Sequence, residues 1–266
     1  MKSFKLLIVL VVAMLPFHAF ALSPEEIAKK AHLAAYYTAN DGSAQMLMQV
    51  FSKGAQKPIQ KLFHMLKLDQ EEGGRQMFFT FFSAPSDIKR TTFLVHKNID
   101  QDDFRRLYLP ASDKVLAISG ARKQDPFMGS DFSYEDVSGR HYTRDHHKIL
   151  GEETLMGKAQ YVMEATPREK ESRLAKMKYW VDKQTFLPMK VEFYNHEGKV
   201  YKRYTSEKVT TIDGFPTIMS RRMESPLEGT HTMLLVNPKK VRYNIGLSTA
   251  DFSERSLKNP PAKFFR

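Results

Sequence analysis

Apolar positions along the chain first recur at helical spacing and then, from about residue 45 onward, at every second residue. Ser23-Pro24-Glu25-Glu26 carries the signals of a helix start. Ser23 can cap, Pro24 suits the first helical position, and Glu26 completes a capping box. Ile27, Ala31, Ala34 and Ala35 give the helix an apolar stripe, and Asn40-Asp41-Gly42 marks its end. Met46, Met48 and Val50 then alternate with Leu47, Gln49 and Phe51, which predicts a strand with one clearly apolar face.

Further strands are predicted at 75–82, 91–97, 105–109, 114–119, 161–165, 176–182, 188–194, 200–209, 215–224 and 230–236. Breakers such as Gly73-Gly74, Asp125-Pro126, Glu197-Gly198 and Asp213-Gly214 separate them. The run from Ile59 to Leu68 fits helix or strand. Many short strands without regular helices between them argue for antiparallel sheet.

Two features distinguish this sheet. Methionine recurs on the apolar face, at Met46, Met48, Met163, Met177 and Met189. Its flexible, polarizable side chain lines surfaces that accept variable apolar shapes, although any one of these residues could simply fill a core gap. In addition, Met77-Phe78-Phe79-Thr80-Phe81-Phe82 is apolar on both faces, as though that strand were covered on each side. A curved sheet with an apolar inner face and a helix or loop packed elsewhere would account for both, and an up-and-down or half-closed barrel holding a lipid is one such arrangement. We therefore expect Met46, Met48, Val50, Phe78, Phe82, Tyr161, Met163, Tyr179, Val181, Met189, Val191 and Phe193 to bind lipid, with Met46, Met48, Tyr161, Met163, Tyr179, Met189 and Phe193 facing one continuous cavity.

The N-terminus points to a compartment. Lys2 and Lys5 precede the apolar run Leu6–Leu15, followed by Pro16 and Ala19-Phe20-Ala21, the pattern of a cleaved secretory signal peptide. The run is well short of the roughly 20 residues of a spanning helix. We read 1–21 as the signal peptide and 22–266 as one periplasmic domain. The 266 residues include no cysteine, which excludes disulfides, thiolate zinc sites and cysteine nucleophiles. With 42% hydrophobic and 27% charged residues the composition is that of a globular protein, and the net charge is +11. On an exported protein such charge suits anionic lipid or an acidic partner surface. The clusters 199–203, Arg221-Arg222 and 239–242 read mainly as a solvated outer sheet face, and nothing resembles a nucleic-acid-binding module.

Catalytic signals are weak. Ser86-Asp87-Ile88-Lys89 matches Ser-x-x-Lys, a pattern common by chance, and Pro85 before it favours a turn. His141, His146 and His147 read as solvated strand histidines, the last two on opposite faces, and no metal site is expected. No nucleophile elbow, zinc-protease motif or phosphate loop occurs, so we expect no catalytic residue, no cofactor and no enzymatic activity.

The stretch RLYLPASDKVLAISG, continuing through PFMGSDFSYEDV to Val137, resembles the exported LolA-like family of outer-membrane lipoprotein-sorting proteins. Upstream, FFSAPSDIKRTTFLV resembles the segment that precedes that motif, except that Arg90 stands where glycine is often found and leaves the tight turn there open. The resemblance implies a mainly β fold: an unclosed antiparallel β-barrel with an N-terminal helix and short lid helices or loops. It further implies a periplasmic carrier of lipoprotein acyl chains or another lipid, which we expect to be a monomer. An inner-membrane permease that exports lipids and an outer-membrane acceptor would be its partners. A non-transporting sensor or adaptor that binds a membrane protein is the alternative. In the Phe127–Asp136 block, Gly129 permits special backbone geometry and Ser130 or Asp131 can cap a short helix. Phe127, Met128, Phe132 and Tyr134 are the candidate lid residues, and a structural corner is the competing role.

Overall fold

The computed structural model describes residues 22–170 and 173–265, so the signal-peptide reading of 1–21 lies outside the described residues. The predicted helix forms as α1 (Pro24–Tyr36), with Ser23 and Glu26 exchanging capping hydrogen bonds of 2.7 and 3.2 Å. It stops at Tyr36, and Asp41-Gly42 already belongs to the first strand.

The strands are β1 (Asp41–Phe51), β2 (Ile59–Asp69), β3 (Gln76–Ala84), β4 (Thr92–Lys97), β5 (Phe104–Leu109) and β6 (Lys114–Ala117). After the segment that holds α2 (Tyr134–Ser138) come β7 (Asp145–Leu155), β8 (Lys158–Pro167), β9 (Lys176–Asp182) and β10 (Pro188–Tyr194). The last are β11 (Val200–Ile212), β12 (Phe215–Ser225) and β13 (Thr230–Tyr243), and a short helix α3 (Glu254–Lys258) follows. They form one 13-stranded antiparallel sheet ordered β6-β5-β4-β3-β2-β1-β13-β12-β11-β10-β9-β8-β7. Every pairing is between sequence neighbours except β1 with β13, and β6 and β7 end the sheet without meeting each other. The sheet is therefore mainly β, antiparallel and unclosed, as expected.

The ambiguous run Ile59–Leu68 becomes β2 because β1 and β3 pair with it on both sides. Its odd positions, Phe63 and Met65, join the inner cluster, and its even positions, Leu66 and Leu68, join the outer one. The doubly apolar β3 has the same explanation. Phe78 and Phe82 lie in the inner cluster, while Phe79 is wholly buried on the outer face against Leu247, Phe252 and Leu257 of the C-terminal segment. That segment is anchored by Thr92 Oγ1 donating to the Leu257 carbonyl at 2.8 Å and by His96 Nε2 against the Phe252 carbonyl at 2.7 Å.

The apolar pattern misses β7. This edge strand is polar and largely exposed, with Lys148, Glu152 and Glu153 along it, which is how an unpaired edge is kept from recruiting another chain. Arg90 forms the tight turn despite having a side chain, at φ +69°, with its amide donating to the Phe82 carbonyl. Ser86 and Lys89 are exposed in that same turn.

Candidate functional site

The segment between β6 and β7 crosses the inner face of the sheet, and this crossing builds the site. Phe127-Met128-Gly129 makes a tight turn in which Met128 (φ +51°) and Gly129 (φ +71°) both take left-handed geometry. The Phe127 amide donates to the Phe132 carbonyl at 2.6 Å, and Ser130 Oγ donates to the Phe127 carbonyl at 2.7 Å. These bonds satisfy the turn's backbone internally and leave its aromatic side chains free to pack. The helix α2 is capped by Ser133, not by Ser130 or Asp131 as the sequence suggested: Ser133 and Asp136 form a reciprocal capping box.

Polar ties hold this crossing segment, which carries the expected lid residues, to the sheet. Asp131 accepts from Thr230 Oγ1 at 2.5 Å and Thr232 Oγ1 at 2.7 Å on β13, and its own amide donates back to Thr232 Oγ1. Asp136 pairs with Lys202 of β11 at 2.9 and 3.1 Å, both side chains being largely buried. Lys61 of β2 donates to the Met128 carbonyl, and its burial moves its pKa down. At the far end Lys97 Nζ donates to the Ser138 and Gly139 carbonyls at the C-terminus of α2. Complete burial pushes the Lys97 pKa down to about 8.

Beneath the lid lies a cavity of about 180 Å³. Its walls are Met46 and Met48 of β1, Phe63 and Met65 of β2, Phe78 of β3, Leu234 and Val236 of β13, and Phe127 and Phe132 of the lid. Ala34, Ala35 and Tyr36 of α1 complete one side, and Lys67, Asp136 and Arg221 are the charged residues of the wall. A cavity of roughly 150 Å³ holds a benzene-sized molecule, so this one is too small for a long acyl chain as it stands.

The residues expected to bind lipid are spread over several regions, which corrects the expectation that Met46, Met48, Tyr161, Met163, Tyr179, Met189 and Phe193 face one continuous cavity. Met46, Met48 and Phe78 line the cavity, and Val50 and Phe82 belong to the same cluster beside it. Met163, Tyr179 and Val181 instead pack with Ile27 and Ala31 of α1, with Tyr161 and Val191 against them. Met189 sits with Leu187, Ile218 and Ala34. Half-buried Phe193 carries the Lys202 ammonium 4.4 Å from its ring centre. The physical reason is α1: its apolar stripe must be buried, and β8 and β9 supply the surface. Among the lid residues, Phe127 and Phe132 line the cavity, Tyr134 packs on Phe93 and Phe127, and half-buried Met128 rests on the same cluster.

Two basic clusters read as solvated do not face solvent throughout. Lys202 is buried and Arg221 faces the cavity. Alternation was the available signal: adjacent Arg221 and Arg222 must lie on opposite faces of a strand, and Arg221 shares its face with Met223. His141 is likewise buried, its Nε2 3.0 Å from the Gly73 carbonyl, while His146 is exposed and His147 contacts Tyr179. No group able to hold a metal ion occurs among the described residues, nor any helix long and apolar enough to cross a membrane.

Comparisons with known proteins agree with this architecture. A family model, described as an uncharacterized protein family, matches residues 74–259. A DUF1329 family protein from Desulfovibrio piger is 28% identical, with 88% of this chain and 97% of that one covered and a TM-score of 0.81. A domain from Vibrio parahaemolyticus designated an outer membrane lipoprotein-sorting protein is 32% identical, covering 88% and 98%, with a TM-score of 0.79. The chain belongs to this DUF1329-type family. A LolA superfamily protein from Nitrosomonas europaea, 17% identical over 88% of this chain and 99% of its own, shares the fold of this DUF1329-type protein at a TM-score of 0.67. No curated protein matches the chain.

Proposed function

We propose that this DUF1329-type protein is an exported, non-enzymatic carrier. It binds lipoprotein acyl chains or another acyl lipid on the inner face of the half-barrel and passes them toward the outer membrane. Removal of residues 1–21 as a signal peptide would deliver it to the periplasm. A lipid-exporting permease of the inner membrane is the proposed donor. The observation that carries this reading is the apolar cavity roofed by Phe127 and Phe132 on a segment tied to the sheet largely by polar side chains. Such a roof can be released by breaking a few directional bonds, without dismantling the sheet.

The energetics suit a carrier. Burying each CH₂ gains roughly 0.8 kcal/mol, so a long acyl chain supplies about 10 kcal/mol gross. Ordering of the chain and displacement of the lid reduce this to an affinity compatible with release. Native mass spectrometry of the protein purified from its own periplasm tests the reading. A co-purifying mass of lipid size is expected. A bare chain, even after incubation with extracted membrane lipid, would overturn the carrier and favour an adaptor that binds a membrane protein.

A further inference from the structure

Three charged side chains line the cavity, and only two of them are balanced. Lys67 is held by both carboxylate oxygens of Asp69 at 3.0 Å and by the Tyr36 and Ala39 carbonyls. Asp136 is held by Lys202 and by its own capping box. Arg221 has no hydrogen-bond or ion-pair partner among the described residues, and its Nε is buried. Its cross-strand neighbours on β11 and β13 are Ser206 and Leu234, neither of which can neutralise it.

A guanidinium stays charged at every physiological pH. Half-buried at a largely apolar wall with its Nε enclosed and unpartnered, it is only partly solvated, and a bidentate oxyanion is the partner a guanidinium fork fits best. Two tyrosines of the same wall, Tyr36 and Tyr243, lie within the field of Arg221, and burial is the main cause that keeps their hydroxyls protonated. Thr217 Oγ1 lies 2.7 Å from the Tyr243 hydroxyl. The wall thus presents one unpaired cation beside hydroxyl groups, with methionine and phenylalanine beyond.

We propose that the cargo is an acyl amphiphile with an anionic head, a carboxylate or phosphate, and that Arg221 receives the head while the chain runs along Met46, Met48 and Phe78. This rests on the carrier reading and narrows it, because an acyl chain with an uncharged head would leave Arg221 unbalanced.

Isothermal titration near pH 8 with dodecanoate, dodecyl phosphate, dodecanol and inorganic phosphate separates the contributions of head and chain. The intact protein is expected to bind dodecanoate and dodecyl phosphate about tenfold or more tighter than dodecanol, the size of a charge-assisted hydrogen bond. Arg221→Met should erase that preference, so that dodecanoate and dodecyl phosphate bind no tighter than dodecanol, and Arg221→Lys should restore part of it. If the intact protein binds all three amphiphiles equally, the headgroup proposal fails and the carrier reading stands. If it binds none of them, both fail. Inorganic phosphate that competes as well as dodecyl phosphate would make this a free-phosphate site and overturn the proposal. Should Arg221→Met fail to fold, the preference of the intact protein and the partial preference of Arg221→Lys still decide.

Discussion

The inner face of the sheet has two covers, and they are held by different forces. Over β8 and β9 the cover is α1, three and a half turns long, whose Ile27 and Ala31 pack on Met163, Tyr179 and Val181. Over β1–β4 and β13 the cover is a tight turn and a five-residue helix, whose buried rings Phe127, Phe132 and Tyr134 are supplemented by polar anchors. Its polar anchors are Thr230, Thr232, Lys202, Lys61 and Lys97. Apolar burial is non-directional and fades gradually with displacement, whereas a hydrogen-bonded tether is lost over a fraction of an ångström. On the proposed carrier reading, the directional tethers give the second cover a tied and a released state, and the first, fixed mainly by packing, has one. The cavity lies chiefly under the second.

The lid side of the comparison is tested most directly against a ring fixed in a closed core on the other face of the sheet. Phe79 is wholly enclosed between β3 and the C-terminal segment, so Phe79→Ala should lower unfolding stability in urea by about 3–5 kcal/mol. Phe132→Ala, in the lid itself, is expected to cost much less, because the lid can settle, while uptake and release of a fluorescent fatty-acid probe change several-fold. Equal stability losses with unchanged probe kinetics would make the lid a structural corner.

A smaller effect is expected from the tether itself. Lys202→Met leaves the largely buried Asp136 without its cation, and about 1–3 kcal/mol of closed-state stability should be lost. Probe exchange should then accelerate by about tenfold for each 1.4 kcal/mol, read by stopped-flow fluorescence.

The seam between the covers should respond to pH. His32 on α1 lies 4.8 Å, ring to ring, from His141 behind α2, and burial pushes its pKa down to about 2, helped by the Lys97 and His141 charges. The folded state therefore refuses a proton that the unfolded chain accepts at about pH 6.5. More protons are bound by the unfolded state below that value, so stability is lost as pH falls through about 6.5 and continues to drop toward the folded pKa. His141 is shifted in the same direction, mainly by burial. His32→Leu should flatten, without abolishing, the acid slope of the urea midpoint between about pH 6.5 and 4. An unchanged slope would place the acid sensitivity elsewhere.

The smallest effect expected is at Ser86, exposed in the turn with Lys89. Ser86→Ala should change stability by less than about 0.5 kcal/mol and leave probe binding alone. A covalent adduct at Ser86 from a serine-reactive reagent would overturn the non-enzymatic reading.

Part of the site was legible because strand alternation is a local rule. Met46, Met48 and Phe78 could be assigned to an apolar face by their spacing alone, and all three line the cavity with Phe127 and Phe132. The same rule was available for Arg221 but was overridden by composition, since two adjacent arginines look like solvated surface when counted together. The Asp131–Thr232 and Asp136–Lys202 ties were beyond reach, because each joins residues separated by 66 to 101 positions.

What the sequence by itself determined is therefore the set of elements and their faces: the capped N-terminal helix, most of the strands, and a β3 covered on both sides. Those features depend on residues within a few positions of one another, where backbone geometry leaves few choices. Which apolar surface would be closed by α1, and which left as a cavity under a lid, was decided only when β1 met β13 and the sheet brought distant strands together. Both surfaces carry the same alternating pattern of methionine and aromatic residues. Burial is non-directional, so that pattern states that a face must be covered and is silent on what covers it.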